Sequence, residues 1–178
     1  MLKLHIGAGA KFLEGWTHID AVERPHIDYV ADARDLSFLG DGSAAEIYAS
    51  HVLEHFRRDE AQKVLAEWGR VLISGGALRL SVPDFGAVAE EYMAGGSLDP
   101  LLGLLYGGQD HDLNFHYQAF DFKRLERLLR EAGFGQAERY DWRDFLPEGY
   151  DDFSRAYLPH MDFEKGRLMS LNVRAVKA

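Results

Sequence analysis

The sequence predicts a mostly parallel α/β sheet with helices mainly on one of its faces. Three observations carry this. Short apolar runs alternate with amphipathic segments of helical period, the pattern that builds parallel sheets. Glycines punctuate the ends of these segments. The strand-like runs are themselves half polar: Lys3 and His5, His18, Glu46 and Tyr48, Arg79 and Ser81, and Ser170, Asn172 and Arg174 fall on alternate positions. Strands covered by helices on both faces read as continuous apolar runs, so one face of this sheet is polar.

Each element follows from its local pattern. Leu2, Leu4 and Ile6 alternate with Lys3 and His5 and run into Gly7-Ala8-Gly9, a strand entering a glycine turn. Residues 16–19 form a second strand ending at Asp20, residues 27–31 a third ending at Asp32, and residues 46–50 a fourth. In the first helix Val64, Leu65, Trp68, Val71 and Leu72 sit at helical spacing, and Gly75-Gly76 stops it. Residues 77–82 form the fifth strand, stopped by Pro83. Phe85, Val88, Ala89, Tyr92 and Met93 make the stripe of a second helix, closed by Gly95-Gly96, and residues 98–106 add a short apolar helix. Asp121 caps a third main helix whose buried face is Phe122, Leu125, Leu128, Leu129 and Ala132, with Gly133 as its stop. Residues 136–142 and 168–176 complete seven strands.

The connections at the start are short. Gly9 to Trp16 and Asp20 to Ile27 leave no room for crossover helices, which usually take a dozen or more residues. Extended chain spans roughly 3.3–3.6 Å per residue, so coil can make the return. The polar face is then wet, covered by residues 144–166, or covered by a second copy in a homodimer.

Length and charge bound the function. The 178 residues fit one domain spanning 1–178. The net charge of -9 argues against a nucleic-acid partner, which needs a basic surface. No cysteine is present, which removes disulfides, thiolate metal sites and a thiol nucleophile. No apolar run approaches the ~20 residues of a membrane span, and the first ten residues lack a signal-peptide layout. A cytoplasmic protein with no membrane partner is expected.

Gly7 and Gly9 follow a strand, the setting of a nucleotide-binding turn, and Asp20 ends the next strand, where an acid can take a ribose diol. The dinucleotide fingerprint is incomplete, because Phe12 stands where its third glycine belongs. Other segments agree in order. Leu4 to Gly9 resembles the first motif of S-adenosylmethionine-dependent methyltransferases with a Rossmann-like fold, and Trp16 to Asp20 resembles their second strand. Residues 31–38, 46–56, 67–85 and 122–134 resemble the later motifs, and a small bacterial subgroup with a shortened N-terminal region is the nearest likeness. The resemblance implies a Rossmann-like, mostly parallel seven-stranded sheet that lacks helices after its first two strands.

It also implies S-adenosylmethionine as cofactor. Gly7, Ala8 and Gly9 would pass the methionine portion and ribose, Asp20 would take the ribose hydroxyls, and Asp32 and the Ala33 N–H would take adenine. Ser50 and His51 would line the methionine end. The expected reaction is methyl transfer to a small-molecule or glycan acceptor, through a hydroxyl. Residues 107–120 and 144–166 are the candidate substrate-binding or lid segments, with His116 as first candidate base, His111 as second and Asp112 as an orienting partner.

His51-Val52-Leu53-Glu54-His55 formally matches a zinc-protease pattern, H-x-x-E-H on a helix. In its methyltransferase context no metal is expected, and His55 is read as making a structural hydrogen bond. Two other functions share parts of the pattern: a non-catalytic methyltransferase-like binding domain, and a nicotinamide-dependent oxidoreductase, which lacks its Tyr-x-x-x-Lys pair here.

Overall fold

The computed structural model describes residues 1–178. The chain runs β1 (Leu2–Ile6), β2 (Thr17–Asp20), β3 (Tyr29–Val30), β4 (Ala44–Ser50), α1 (Ala61–Val71), β5 (Leu72–Pro83), α2 (Phe85–Gly95), α3 (Leu102–Tyr106), α4 (Phe122–Glu131), β6 (Phe134–Arg139), β7 (Tyr157–Leu158), β8 (Arg167–Leu168) and β9 (Ser170–Lys177). Seven strands form one sheet in the order β3-β2-β1-β4-β5-β9-β6, and β7 and β8 pair separately. The first five in this order are parallel; β9 runs antiparallel to both β5 and β6. The order reverses between β1 and β4, and α/β sheets bind ligands at the carboxyl ends of such a switch point.

One face of the sheet carries the core. Leu4, Ile6, Ile19, Ile47, Leu78, Leu80, Leu171 and Val173 share a cluster with Val64, Leu65 and Trp68 of α1 and Leu125, Leu128 and Leu129 of α4. The helical spacing of these residues turns one stripe of each helix onto the sheet. Asp121 caps α4 by accepting the Arg124 N–H at 2.7 Å.

The opposite face holds His5, His18, Tyr48, Ser81 and Asn172, all buried. The chain covers this face itself. Leu13, Tyr48 and Leu146 cluster with Trp16, Trp142, Phe145 and Tyr150. The Tyr48 hydroxyl donates to Asp152 at 2.5 Å, and Asn172 Nδ2 donates to the Ser154 carbonyl at 2.9 Å. The homodimer expectation rested on this face being open; aromatic residues of the same chain close it.

Residues 7–16 and 21–28 contain no helix. The coil returns are tied down instead. The Leu13 N–H donates to His18 Nε2 at 2.9 Å, and His26 Nε2 meets the Gly9 carbonyl at 3.1 Å.

Several boundaries differ from the sequence reading. Helix α1 ends at Val71, ahead of Gly75-Gly76, because Leu72 is already extended (φ -74°, ψ 143°) and pairs with Ala44 of β4. The third strand shrinks to two exposed residues at the sheet edge. Only Val88 of the α2 stripe is buried: α2 packs at the end of the sheet with Leu101 and Met169, leaving Phe85, Tyr92 and Met93 exposed. The sixth strand begins at Phe134, whose side chain joins the core. No helix is long and apolar enough to cross a membrane.

Candidate active site

A cleft of about 540 Å³ opens at the carboxyl ends of β1, β2 and β4. Gly7, Gly9, Asp20, Asp32, Ala33, His51, His111 and Asp112 all line it, so most of the residues singled out by sequence meet there. Ala8 and Ser50 are outside its wall. The chain reverses at Gly7 (φ 66°) and Gly9 (φ 55°), a left-handed backbone that glycine adopts without strain. A side chain at Gly7 would strike Val52 Cγ2 at 2.3 Å, whereas Gly9 faces open space.

The turn's own N–H groups are spent internally. Those of Gly7 and Ala8 donate to the Ile19 carbonyl at 2.8 and 3.3 Å, and that of Gly9 donates to Asp20 Oδ2 at 2.7 Å. Any ligand that passes the turn therefore meets carbonyls and bare backbone. Asp20 keeps further acceptor capacity, since a carboxylate offers about four lone-pair sites. Asp32 accepts from the Arg34 N–H and is held by the Arg34 guanidinium, which also bonds Glu60 at 2.8 Å. Hydrogen bonding from Arg34 outweighs burial and lowers the Asp32 pKa. The Ala33 carbonyl accepts from Trp68 Nε1 at 2.9 Å, which pins this part of the wall to the core.

A second cavity of about 530 Å³ lies alongside. It is lined by residues of both candidate substrate segments, including Asn114, His116, Asp152, Phe153, Tyr157 and His160. His51, His55, Asn114 and Phe153 border both cavities and form the partition between them.

His51 stands at φ 54°, its N–H bonded to the Ser81 carbonyl at 2.8 Å and its Nε2 2.7 Å from Ser170 Oγ. Residues 53–55 form a single 3-10 turn, not an α-helix. The helical H-x-x-E-H arrangement is therefore not formed, because the left-handed residue at its start breaks the helix. His55 does make the structural hydrogen bond expected of it, from Nδ1 to the Phe115 carbonyl at 3.1 Å.

The three candidate catalytic residues are not brought together. His116 lines the second cavity, while His111 and Asp112 line the first. His111 lies 3.7 Å from Asp110, so Asp110 is its nearest acid. His116 bonds the Leu104 carbonyl through Nδ1 at 3.0 Å, and its ring meets His55 edge-on with centroids 4.8 Å apart. Burial lowers the His116 pKa despite the nearby Glu54 charge, which keeps the ring neutral near pH 7.

Glu54 is the residue that sequence reasoning passed over as a site. It is fully buried, with Oε1 3.2 Å from His51 Nδ1. Burial alone would raise its pKa; facing His51, His55 and His116 brings it below the usual range instead. Its signal in the sequence was the H-x-x-E-H match at residues 51–55, which was set aside in favour of the methyltransferase context.

Residues 14–80 match the family model described as "Methyltransferase domain". The chain has the Rossmann-like fold of S-adenosylmethionine-dependent methyltransferases. Solved structures agree on the fold. A possible histamine N-methyltransferase of Thermotoga maritima superposes with a TM-score of 0.61 at 18% identity, covering 99% of this chain and 82% of the other. A methyltransferase of Archaeoglobus fulgidus gives 0.61 at 17% identity, covering 99% and 86%. The 1,6-didemethyltoxoflavin-N1-methyltransferase of Burkholderia thailandensis, solved with 1,6-didemethyltoxoflavin and S-adenosylhomocysteine, gives 0.58 at 22% identity, covering 99% and 71%. No curated protein sequence matches the chain.

The residues of the first cleft fit S-adenosylmethionine. A glycine turn opens to space at Gly9, and carboxylates end β2 and follow β3 on the cleft wall, a setting that suits a cationic sulfonium ligand.

Proposed function

We propose that the enzyme transfers the methyl group of S-adenosylmethionine to a hydroxyl of a small-molecule or glycan acceptor. The observation that carries this reading is the pair of adjoining cavities divided by His51, His55, Asn114 and Phe153. The first takes the donor: Gly7 and Gly9 beside the methionine portion and ribose, Asp20 on the ribose hydroxyls, Asp32 and Ala33 on adenine, His51 at the methionine end. Ala8 and Ser50 act behind that wall, as support for the turn and the strand end.

The second cavity takes the acceptor. Its polar lining of His116, Asp151, Asp152, Tyr157 and His160 suits a hydroxylated ligand. Acceptor oxygen attacks the methyl carbon, the C–S bond breaks with its electrons on sulfur, and the hydroxyl proton is lost. Most of the catalysis is then alignment of donor and acceptor. His116 is the residue assigned to ease loss of that proton; His111 and Asp112 stand on the donor side as secondary candidates.

Calorimetry with S-adenosylhomocysteine tests the donor half, with one site expected. Mass-spectrometric screening of hydroxylated acceptors tests the other half, with a gain of one methyl group expected and a large loss of turnover in His116→Ala. Absence of binding at millimolar ligand would remove the reading.

A further inference from the structure

Three side chains from two distant stretches of the chain meet beside the partition between the cavities. Glu54 and His55 stand on the turn after β4, and His116 arrives on the loop that follows α3. A potential ligand atom from each lies within 4.8 Å of the others. Glu54 is fully buried; its Oε1 lies 3.2 Å from His51 Nδ1, and neither oxygen completes a well-aligned hydrogen bond. One nearby imidazole leaves most of the carboxylate's acceptor capacity unmet, and buried charges are normally fully paired or coordinate a metal.

The two imidazoles are already oriented. His55 Nδ1 bonds the Phe115 carbonyl and His116 Nδ1 bonds the Leu104 carbonyl. A carbonyl can only accept, so in each neutral ring the proton sits on Nδ1 and Nε2 keeps its lone pair. Backbone carbonyls fix metal-ligating histidines in this way. The Tyr117 N–H donates to the Glu54 carbonyl at 2.9 Å, which ties the loop bearing His116 to the turn bearing the other two.

We propose that Glu54, His55 and His116 form a binding site for a divalent transition-metal ion, with its open coordination position toward the acceptor cavity. Two imidazoles and one carboxylate suit zinc and its neighbours, whereas magnesium and calcium favour all-oxygen sites. Zinc bonds run roughly 2.0–2.1 Å, so the side chains close around the ion by about 1 Å. His116 then acts through the ion, which makes an acceptor hydroxyl more acidic and lets its proton pass to solvent. This last step rests on the acceptor reading of the second cavity; the metal site does not.

The test uses the full chain, stripped with chelator and titrated with Zn²⁺ by calorimetry. One equivalent should bind, and His55→Ala, His116→Ala and Glu54→Gln should each weaken it by about 100-fold, while His111→Ala leaves it unchanged. Co²⁺ added to the unaltered protein should give the intense visible bands of a four-coordinate site, a readout that needs no variant to fold. No uptake at about 100 µM Zn²⁺, affinity unchanged in both histidine variants, or a pale aquo-like Co²⁺ spectrum would each overturn the site. S-adenosylhomocysteine binding to the metal-free protein separates the two readings: zinc uptake without it leaves the metal site and removes the methyl-transfer reading.

Discussion

Asp20 Oδ2 accepts the backbone N–H of Gly9 at 2.7 Å, and Oδ1 of the same carboxylate accepts that of Val22 at 2.8 Å. The acid at the end of β2 thus shapes the turn after β1 while facing the first cleft. Asp20→Ala should lose about 1–2 kcal/mol of stability for the two bonds and bind S-adenosylhomocysteine at least about tenfold more weakly. Asp20→Asn, which keeps one acceptor oxygen, should fall between. Urea unfolding and calorimetry read the two effects, and undiminished affinity in Asp20→Ala would contradict the ribose role.

Gly7→Ala places a methyl 2.3 Å from Val52 Cγ2 on a backbone with φ 66°. Strain and overpacking together should cost about 2–3 kcal/mol, seen as a lower urea midpoint. Adding Val52→Ala removes the clash but leaves the left-handed strain, so the double variant should recover only part of the loss. Full recovery would show that packing alone demands glycine here.

Burial, with His18 and His26 nearby, pushes the His5 pKa down to about 3. Its folded pKa is thus below the unfolded value of 6.5, and the unfolded chain takes up the proton first. Stability from this residue is complete above pH 6.5 and is lost as pH falls toward 3. Between pH 7 and 5 the loss should be about 2 kcal/mol. His5→Phe removes the titrating group, so urea midpoints measured across this range should show a flatter profile than the parent; an unchanged slope would place the acid sensitivity elsewhere.

Tyr48 is buried under residues 142–155, and its hydroxyl donates to Asp152, which also accepts from the Ser154 N–H and hydroxyl. Tyr48→Phe leaves the ring packing and deletes one charge-assisted bond. A loss of about 1.5–3 kcal/mol is expected, with faster proteolytic cutting between residues 142 and 166. Equal cutting rates would mean that the apolar cluster alone holds the cover.

Much of the first cleft was legible because its residues stand at strand ends. Gly7, Gly9, Asp20 and Asp32 follow runs whose period marks them as strands, and parallel strands deliver their carboxyl ends to one edge. The second cavity was less legible. His116 and His111 are close in sequence, yet the loop turns them into different cavities. Helix ends were misplaced where tertiary pairing won, as at Leu72, whose pairing with Ala44 overrides a further helical turn.

The sequence by itself determined the sheet, its polar face and the glycine turn, because these depend on the local alternation of apolar residues and on backbone freedom. It left open what covers the polar face and which residues share a cavity wall. Tertiary structure decided both: Tyr48 meets Asp152, and His116 meets Glu54 and His55, across long stretches of chain. No local propensity encodes such contacts, since they form only when burial of one core places distant segments side by side.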